Sequence, residues 1–386
     1  MFINQTTVNQ LLQHCSVFVI KQYAEMNAYK KTSKQTHKRE SAQALFTFSD
    51  ILRTAVSQPG AVTTAAVHQL FKMLLQFKNG DGQSLADYDT FMATHKPSYN
   101  ALLRYGEWLW LSNDLVNNAL VRKSVEKFID QSDSTVKASY QQVYVDCIQN
   151  HDTNKQKLQK SIRGRSRLAN KSPMTCPVRG LVTAGNLPMI ATEEHVDIEA
   201  ITHDIVYAGV LQHLEANKCH KNITVTVADM LKYCTALYES SHWTSTFDDP
   251  NHIHDAARQG YLVTHVEFAL HFWGMESDSY EFITERKFIT DNMYYFMLHQ
   301  HYEIVGEFVI ALQRMKPTEE ELILCAAAKF YLILQLQNNL NSDNRQQTMR
   351  YRPFNTVRHK PFTEKTALLN FYGHTVYCVA RALMPA

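Results

Sequence analysis

Residues 291–315 read DNMYYFMLHQHYEIVGEFVIALQRM, and the spacing predicts a single helix over the whole stretch. Met297, Ile304, Val305, Phe308, Val309 and Leu312 recur at the three- and four-residue intervals that place side chains on one helical face. His299, Glu303 and Glu307, at successive intervals of four, share the opposite sector. His301 falls in the apolar arc and reads as a structural core histidine. Two environments suit such a helix. At the surface its carboxylates would stand in water; lining a polar cavity, they would face inward with the apolar back against an outer helical layer.

The same period runs outward on both sides. Helices are predicted over 196–217, 225–240, 252–273, 279–289, 318–340 and 363–384, and towards the N-terminus over 84–94, 98–119, 120–131 and 134–150. Near-helical spacing also marks 3–29, 44–56 and 61–77, with turns at Pro59-Gly60 and Asn79-Gly80-Asp81-Gly82. The chain has only 12 Gly and 10 Pro in 386 residues, about half the usual share of a pair that averages about 12%. Sheet-rich folds need those residues in tight turns and bulges, so their scarcity points to long helices joined by short loops. The only strand-like alternation, NITVTV at 222–227, sits alone among helices. The expected fold is all-α: a multi-helix bundle or an α/α-toroid-like array.

Length suggests two domains at about 100–200 residues each, or one large one. Lys155, Lys157, Lys160, Arg163, Arg165, Arg167 and Lys171 follow one another with no acid between Asp152 and Glu193, and Pro173, Pro177, Gly180, Gly185 and Pro188 come next. That texture divides the chain into an N-terminal helical region at 1–152, a basic Pro/Gly-containing linker at 153–190 and a C-terminal helical region at 191–386. With 39 Lys+Arg against 37 Asp+Glu, the net charge of +2 supplies no global field towards nucleic acid or membrane. Any such attraction is local, and Arg163, Arg165 and Arg167 are the candidates for holding an anion or a nucleic-acid phosphate. No aromatic side chain interleaves with them to stack on bases, so a solvated basic linker is the preferred reading.

Seven scattered cysteines form no Cys-x-x-Cys pair, which signals neither a disulfide framework nor a thiolate zinc site. The first residues carry no basic, apolar leader, and the apolar run 322–336 is broken by Lys329. These features predict a reducing, cytoplasmic setting and no membrane partner.

Three predicted helices share a small pattern: Thr202-His203-Asp204-Ile205-Val206-Tyr207, Thr264-His265-Val266-Glu267-Phe268 and Gly373-His374-Thr375-Val376-Tyr377. His203 lies among Val196, Val206, Tyr207, Val210, Leu211 and Leu214, and His265 among Tyr261, Leu262, Phe268, Ala269 and Phe272, so both point where their helices bury their apolar stripe. His374 shares its side with Arg381. A buried imidazole needs partners for both nitrogens. It is either a core histidine bonded to a neighbouring carbonyl, hydroxyl or carboxylate, or a metal ligand whose other nitrogen donates to a fixed acceptor. The second solution defines a candidate site in which His203, His265, His374, Glu303 and Glu307 hold a divalent Zn, Fe or Mn ion. There Glu303, Glu307 and Asp204 would act on a metal-activated water in a hydrolase-like reaction on a small molecule or peptide. The first solution leaves a non-catalytic helical interaction or scaffold protein. Asp248, Asp249, His252, His254 and Asp255 form a further polar group before His265.

The His203-Asp204 dipeptide resembles the central His-Asp pair of the all-helical HD-superfamily metal phosphohydrolases. That resemblance implies a His, a His-Asp pair and a distant Asp as metal ligands. It covers two residues, and Ile205, Val206 and Tyr207 stand where the family usually has Gly-Lys or Gly-Arg. The alternation of polar-in and apolar-out helices also looks like the α/α toroids of lanthionine-cyclase-like and terpene-cyclase-like barrels, an architectural likeness that carries no chemistry. The zinc-binding cysteines of the former have no counterpart in this chain.

Overall fold

A computed structural model describes residues 87–95, 105–106, 109, 119–169, 196–213, 226–272, 280–341, 378 and 382–383. Of the helices predicted from sequence, those at 3–29, 44–56 and 61–77 and most of those at 98–119 and 363–384 lie outside the described residues. Within them, 82% of residues are helical and none is in a strand, so the fold is all-α. The helices are α1 (Tyr88–His95), α2 (Ala119–Asp130), α3 (Ser134–Tyr144), α4 (His151–Ala169), α5 (Ile198–His213), α6 (Val227–Tyr238), α7 (Ile253–Phe272), α8 (Ile283–Leu298), α9 (Tyr302–Arg314) and α10 (Glu319–Asn341). The described part of the strand-like run is a helix start. Thr226 accepts a hydrogen bond from the Asp229 N–H at 3.1 Å, and the Asp229 carboxylate accepts from the Thr226 N–H at 3.0 Å. This reciprocal capping box begins α6.

The chain divides into two compact units, Met1–Ile162 with Asn355–Ala380, and Arg163–Phe354 with Arg381–Ala386. In the first, Phe128 of α2 stacks on Tyr140 of α3 at 5.2 Å, and Tyr105 meets Tyr88 edge-on at 5.1 Å. A π turn at Val145–Gln149 carries the chain from α3 to α4. Buried Asn154 of α4 donates to the Asp146 carbonyl and receives the Tyr88 N–H, while His151 Nε2 donates to the Leu109 carbonyl. These bonds and buried Leu158 explain why the basic run that reads as a linker is helical as far as Ala169. A charged, solvated helix face has the same composition as a linker.

In the second unit α7 packs against α5, α6, α8 and α9, and α9 in turn against α8 and α10. At Gly260 a Cβ would sit 3.4 Å from the Ile304 side chain and 3.5 Å from Phe296, in ordinary van der Waals contact, so this position of α7 packs against both α8 and α9. The loop after α6 is strapped to α8: fully buried Asn292 accepts from the Phe247 N–H at 2.9 Å and donates to the Ser245 carbonyl at 2.8 Å. The Tyr295 hydroxyl donates to the Asp249 carbonyl at 2.8 Å. At the start of α10, Thr318 and Glu321 form a second reciprocal cap, and Arg286 of α8 ion-pairs with Glu321 at 2.6 Å.

The structure differs from the sequence reading where the quoted stretch turns. One helix over 291–315 is replaced by two, α8 and α9, because the chain reverses at His299–His301. Gln300 has a φ of 58°, its N–H donates to the Met297 carbonyl at 3.1 Å, and the His301 N–H donates to the Phe296 carbonyl at 2.9 Å. That is the Schellman ending, which glycine usually supplies. A left-handed residue other than glycine is strained by roughly 1–2 kcal/mol, and no glycine signals the turn in the sequence. Replacing Gln300 with glycine is therefore expected to raise unfolding stability by about 1 kcal/mol, read as a higher urea midpoint with an unchanged slope.

Candidate functional site

Of the polar groups named from sequence, Glu307 meets α7 across its contact with α9, Glu303 shares α9 with it, and His265 lies on α7. Every residue from Glu303 to Leu312 is buried, so Glu303 and Glu307 are withdrawn from bulk solvent. They lie inside the helix packing. The break after Leu298 removes His299 from their sector: it caps the end of α8 and rests on the Tyr295 ring at 4.5 Å. His301 is buried, as its place in the apolar arc predicts, and stands at the N-cap of α9.

Gly260, Thr264 and Glu267 share one face of α7, at intervals of four and three. The hydroxyl of fully buried Thr264 lies 2.7 Å from Glu307 Oε2 and donates to it across the interface. His265 Nδ1 lies 2.7 Å from the Tyr261 carbonyl and 3.4 Å from the Thr264 hydroxyl. Since a carbonyl only accepts, the proton is on Nδ1. That is one turn of backbone capping, and it orients the ring just as a histidine holding a ligand through Nε2 would be oriented. His301 packs edge-on against Tyr261 and Phe296. Burial lowers its pKa to about 3; the Glu307 carboxylate works against that shift and His254 adds to it. His301 is thus a neutral imidazole. One turn further along α7, fully buried Glu267 faces Arg314 of α9 at 3.8 Å, and that guanidinium also sits 5.8 Å above the Phe268 ring.

Asp204 on α5 is buried as well, and among the described residues its Oδ2 has no hydrogen-bond partner. Burial, with a smaller contribution from Asp197, raises its pKa to about 7. The side chains of His203, Arg163, Arg165 and Arg167 lie outside the described residues, although their backbones belong to α5 and α4; His374 lies outside them altogether. The group before His265 is dispersed. Asp249 caps the 3-10 turn Pro250–His252, His252 is exposed, and α7 runs through both His254 and His265, roughly 16 Å apart along its axis. Among the described residues no group of three or more His, Cys, Asp or Glu side chains is arranged to hold a metal ion.

Sequence reasoning missed the partners. Thr264 and Glu267 appear in the quoted pattern only as neighbours of His265, and Arg314 not at all. The signal for the first two was their register with Gly260, a stripe of small and polar residues on an otherwise apolar helix. A second buried carboxylate was also missed. Glu285 of α8 accepts from the Tyr238 hydroxyl at 2.9 Å and the Tyr280 hydroxyl at 2.8 Å, both on Oε1. Burial raises its pKa and the two tyrosines oppose that. No protein family, curated protein sequence or solved structure matches the chain.

Asp204 gives this arrangement a pH signature. Its folded pKa is raised from 3.8 to about 7, so between those values the native state holds a proton that the unfolded chain releases. Stability therefore falls as pH rises through that window. An Asp204→Asn variant, neutral throughout, is expected to melt at a higher temperature than the parent protein at pH above the window, with the gap closing below it. Parallel melting curves across the range would show that Asp204 is not the source.

Proposed function

We propose that the second unit is a non-catalytic helical interaction module whose helix α10 receives an apolar helix of a protein partner. The observation that carries this reading is on its outer face, where Leu322 is 52%, Ile323 68%, Phe330 39% and Leu334 41% exposed. Ala326, also exposed, fills the interval, so 322, 326, 330 and 334 form an unbroken ridge of i+4 steps. Ridges of that kind seat in the grooves of a second helix. Contiguous apolar surface of this sort marks contact sites on otherwise polar exteriors. The interior is consistent with a packing role, because three of its buried acids bond to side chains of other elements: Glu307 to Thr264, Glu267 to Arg314 and Glu285 to two tyrosines.

A photo-crosslinking amino acid at position 330 should yield covalent adducts with a protein, while the same group at exposed Lys287 of α8 should yield none above background. Replacing Leu322 and Leu334 with Asp should abolish the adducts at 330. Equal yields at the two positions would overturn the reading.

One observation favours a second reading, divalent-metal chemistry on a small molecule or peptide. Glu267, Glu303 and Glu307 are all buried with His301 within α7 and α9, and buried carboxylates in such density need compensating positive charge. In this reading His265 Nε2, Glu303 and Glu307 would hold a Zn, Fe or Mn ion. Elemental analysis of the purified chain should then find one metal per chain, with a drop in melting temperature on chelation. No metal and an unchanged melt would dismiss it.

A further inference from the structure

We infer that the occupant of the α10 face is the α10 of a second copy of this chain, packed antiparallel about a two-fold axis; the inference rests on the interaction-module reading above. The ridge is self-complementary. Reading outward from residue 328 it runs Ala326 and Phe330, then Leu322 and Leu334, two steps each way and equally spaced. A two-fold pairs a surface with itself in reverse order. An antiparallel two-fold at 328 sets the large Phe330 of each chain beside the small Ala326 of the other, and Leu322 beside Leu334. A parallel two-fold would instead press Phe330 on Phe330 and leave a gap between two alanines, and both faults disfavour a packed interface.

Charge points the same way. The exposed acids of this helix, Glu319 and Glu320, stand at its N-terminus, while 335–341 (QLQNNLN) carries no charge. Parallel packing would bring four carboxylates and two like dipole ends together. Antiparallel packing sets the acidic ends roughly 27 Å apart along the axis and lays each against the uncharged end of its neighbour. Lys329 flanks the ridge and is half-buried.

The test is sedimentation equilibrium of the full chain over two decades of concentration, with circular dichroism confirming that each surface variant is folded. The parent chain should reach the mass of a dimer. The double variant Leu322→Lys with Leu334→Glu should remain dimeric, because the antiparallel arrangement brings Lys and Glu together at both ends. Leu322→Lys with Leu334→Lys should be monomeric at every concentration, a shift of at least tenfold in the dissociation constant. A parent chain that stays monomeric would overturn the inference, as would two double variants that behave alike. If the parent is monomeric but position 330 still crosslinks to a different protein, the self-pairing fails while the interaction module stands. If neither occurs, both fail.

Discussion

Helix α9 is buried along nearly its whole length, and a helix in that position has to carry its polar side chains inside with it. Two of them are carboxylates, and an isolated carboxylate in the protein interior is unfavourable by several kcal/mol or more. The second unit meets this constraint by what it places opposite. α7 presents Gly260, Thr264 and Glu267 in register, so that the helices pack at the glycine, share a hydroxyl–carboxylate hydrogen bond at Glu307 and form an ion pair between Glu267 and Arg314. The neutral state of His301 belongs to the same solution, since a charged imidazole there would be a further ion to desolvate.

The outside of the unit follows from that inside. With α9 taking contacts from α7, α8 and α10, α10 is tied to α8 by Arg286 on Glu321 near its start and by the Tyr331 hydroxyl on the Met297 carbonyl further along. Its other flank carries aliphatic and aromatic side chains that stay exposed among the described residues. Inner helices with internally paired charges and an outer helix with unpaired apolar surface are what a packing module needs, whereas the buried acids taken alone are also what a metal centre needs. The two readings differ in which of these features is the functional one.

The all-α class was legible in the sequence from the scarcity of Gly and Pro and the persistence of the helical period, and most described helix ends fall close to their expected positions. The reversal at Gln300 was not. A left-handed residue without a glycine is tolerated only because packing on both sides holds the turn, and no local signal encodes that. Similarly, His299 shares a sector with Glu303 and Glu307 only on an uninterrupted helix. Of the candidate site, Glu303, Glu307 and Asp204 are buried although the helical period set them off the apolar faces, and His265, placed on such a face, is half-buried. Their partners were not legible, because Thr264 and Arg314 become partners only once α7 and α9 cross.

The chain by itself determined its helical character and the side of each helix that is apolar, since both follow from backbone geometry and side chains a few residues apart. Only the tertiary structure decided which helix lies innermost, which acids are enclosed with a hydroxyl or guanidinium opposite, and which apolar side chains stay in water. Those outcomes depend on pairings between segments tens of residues apart, such as Thr264 with Glu307 and Arg286 with Glu321. A period along one helix carries no information about the surface that will face it.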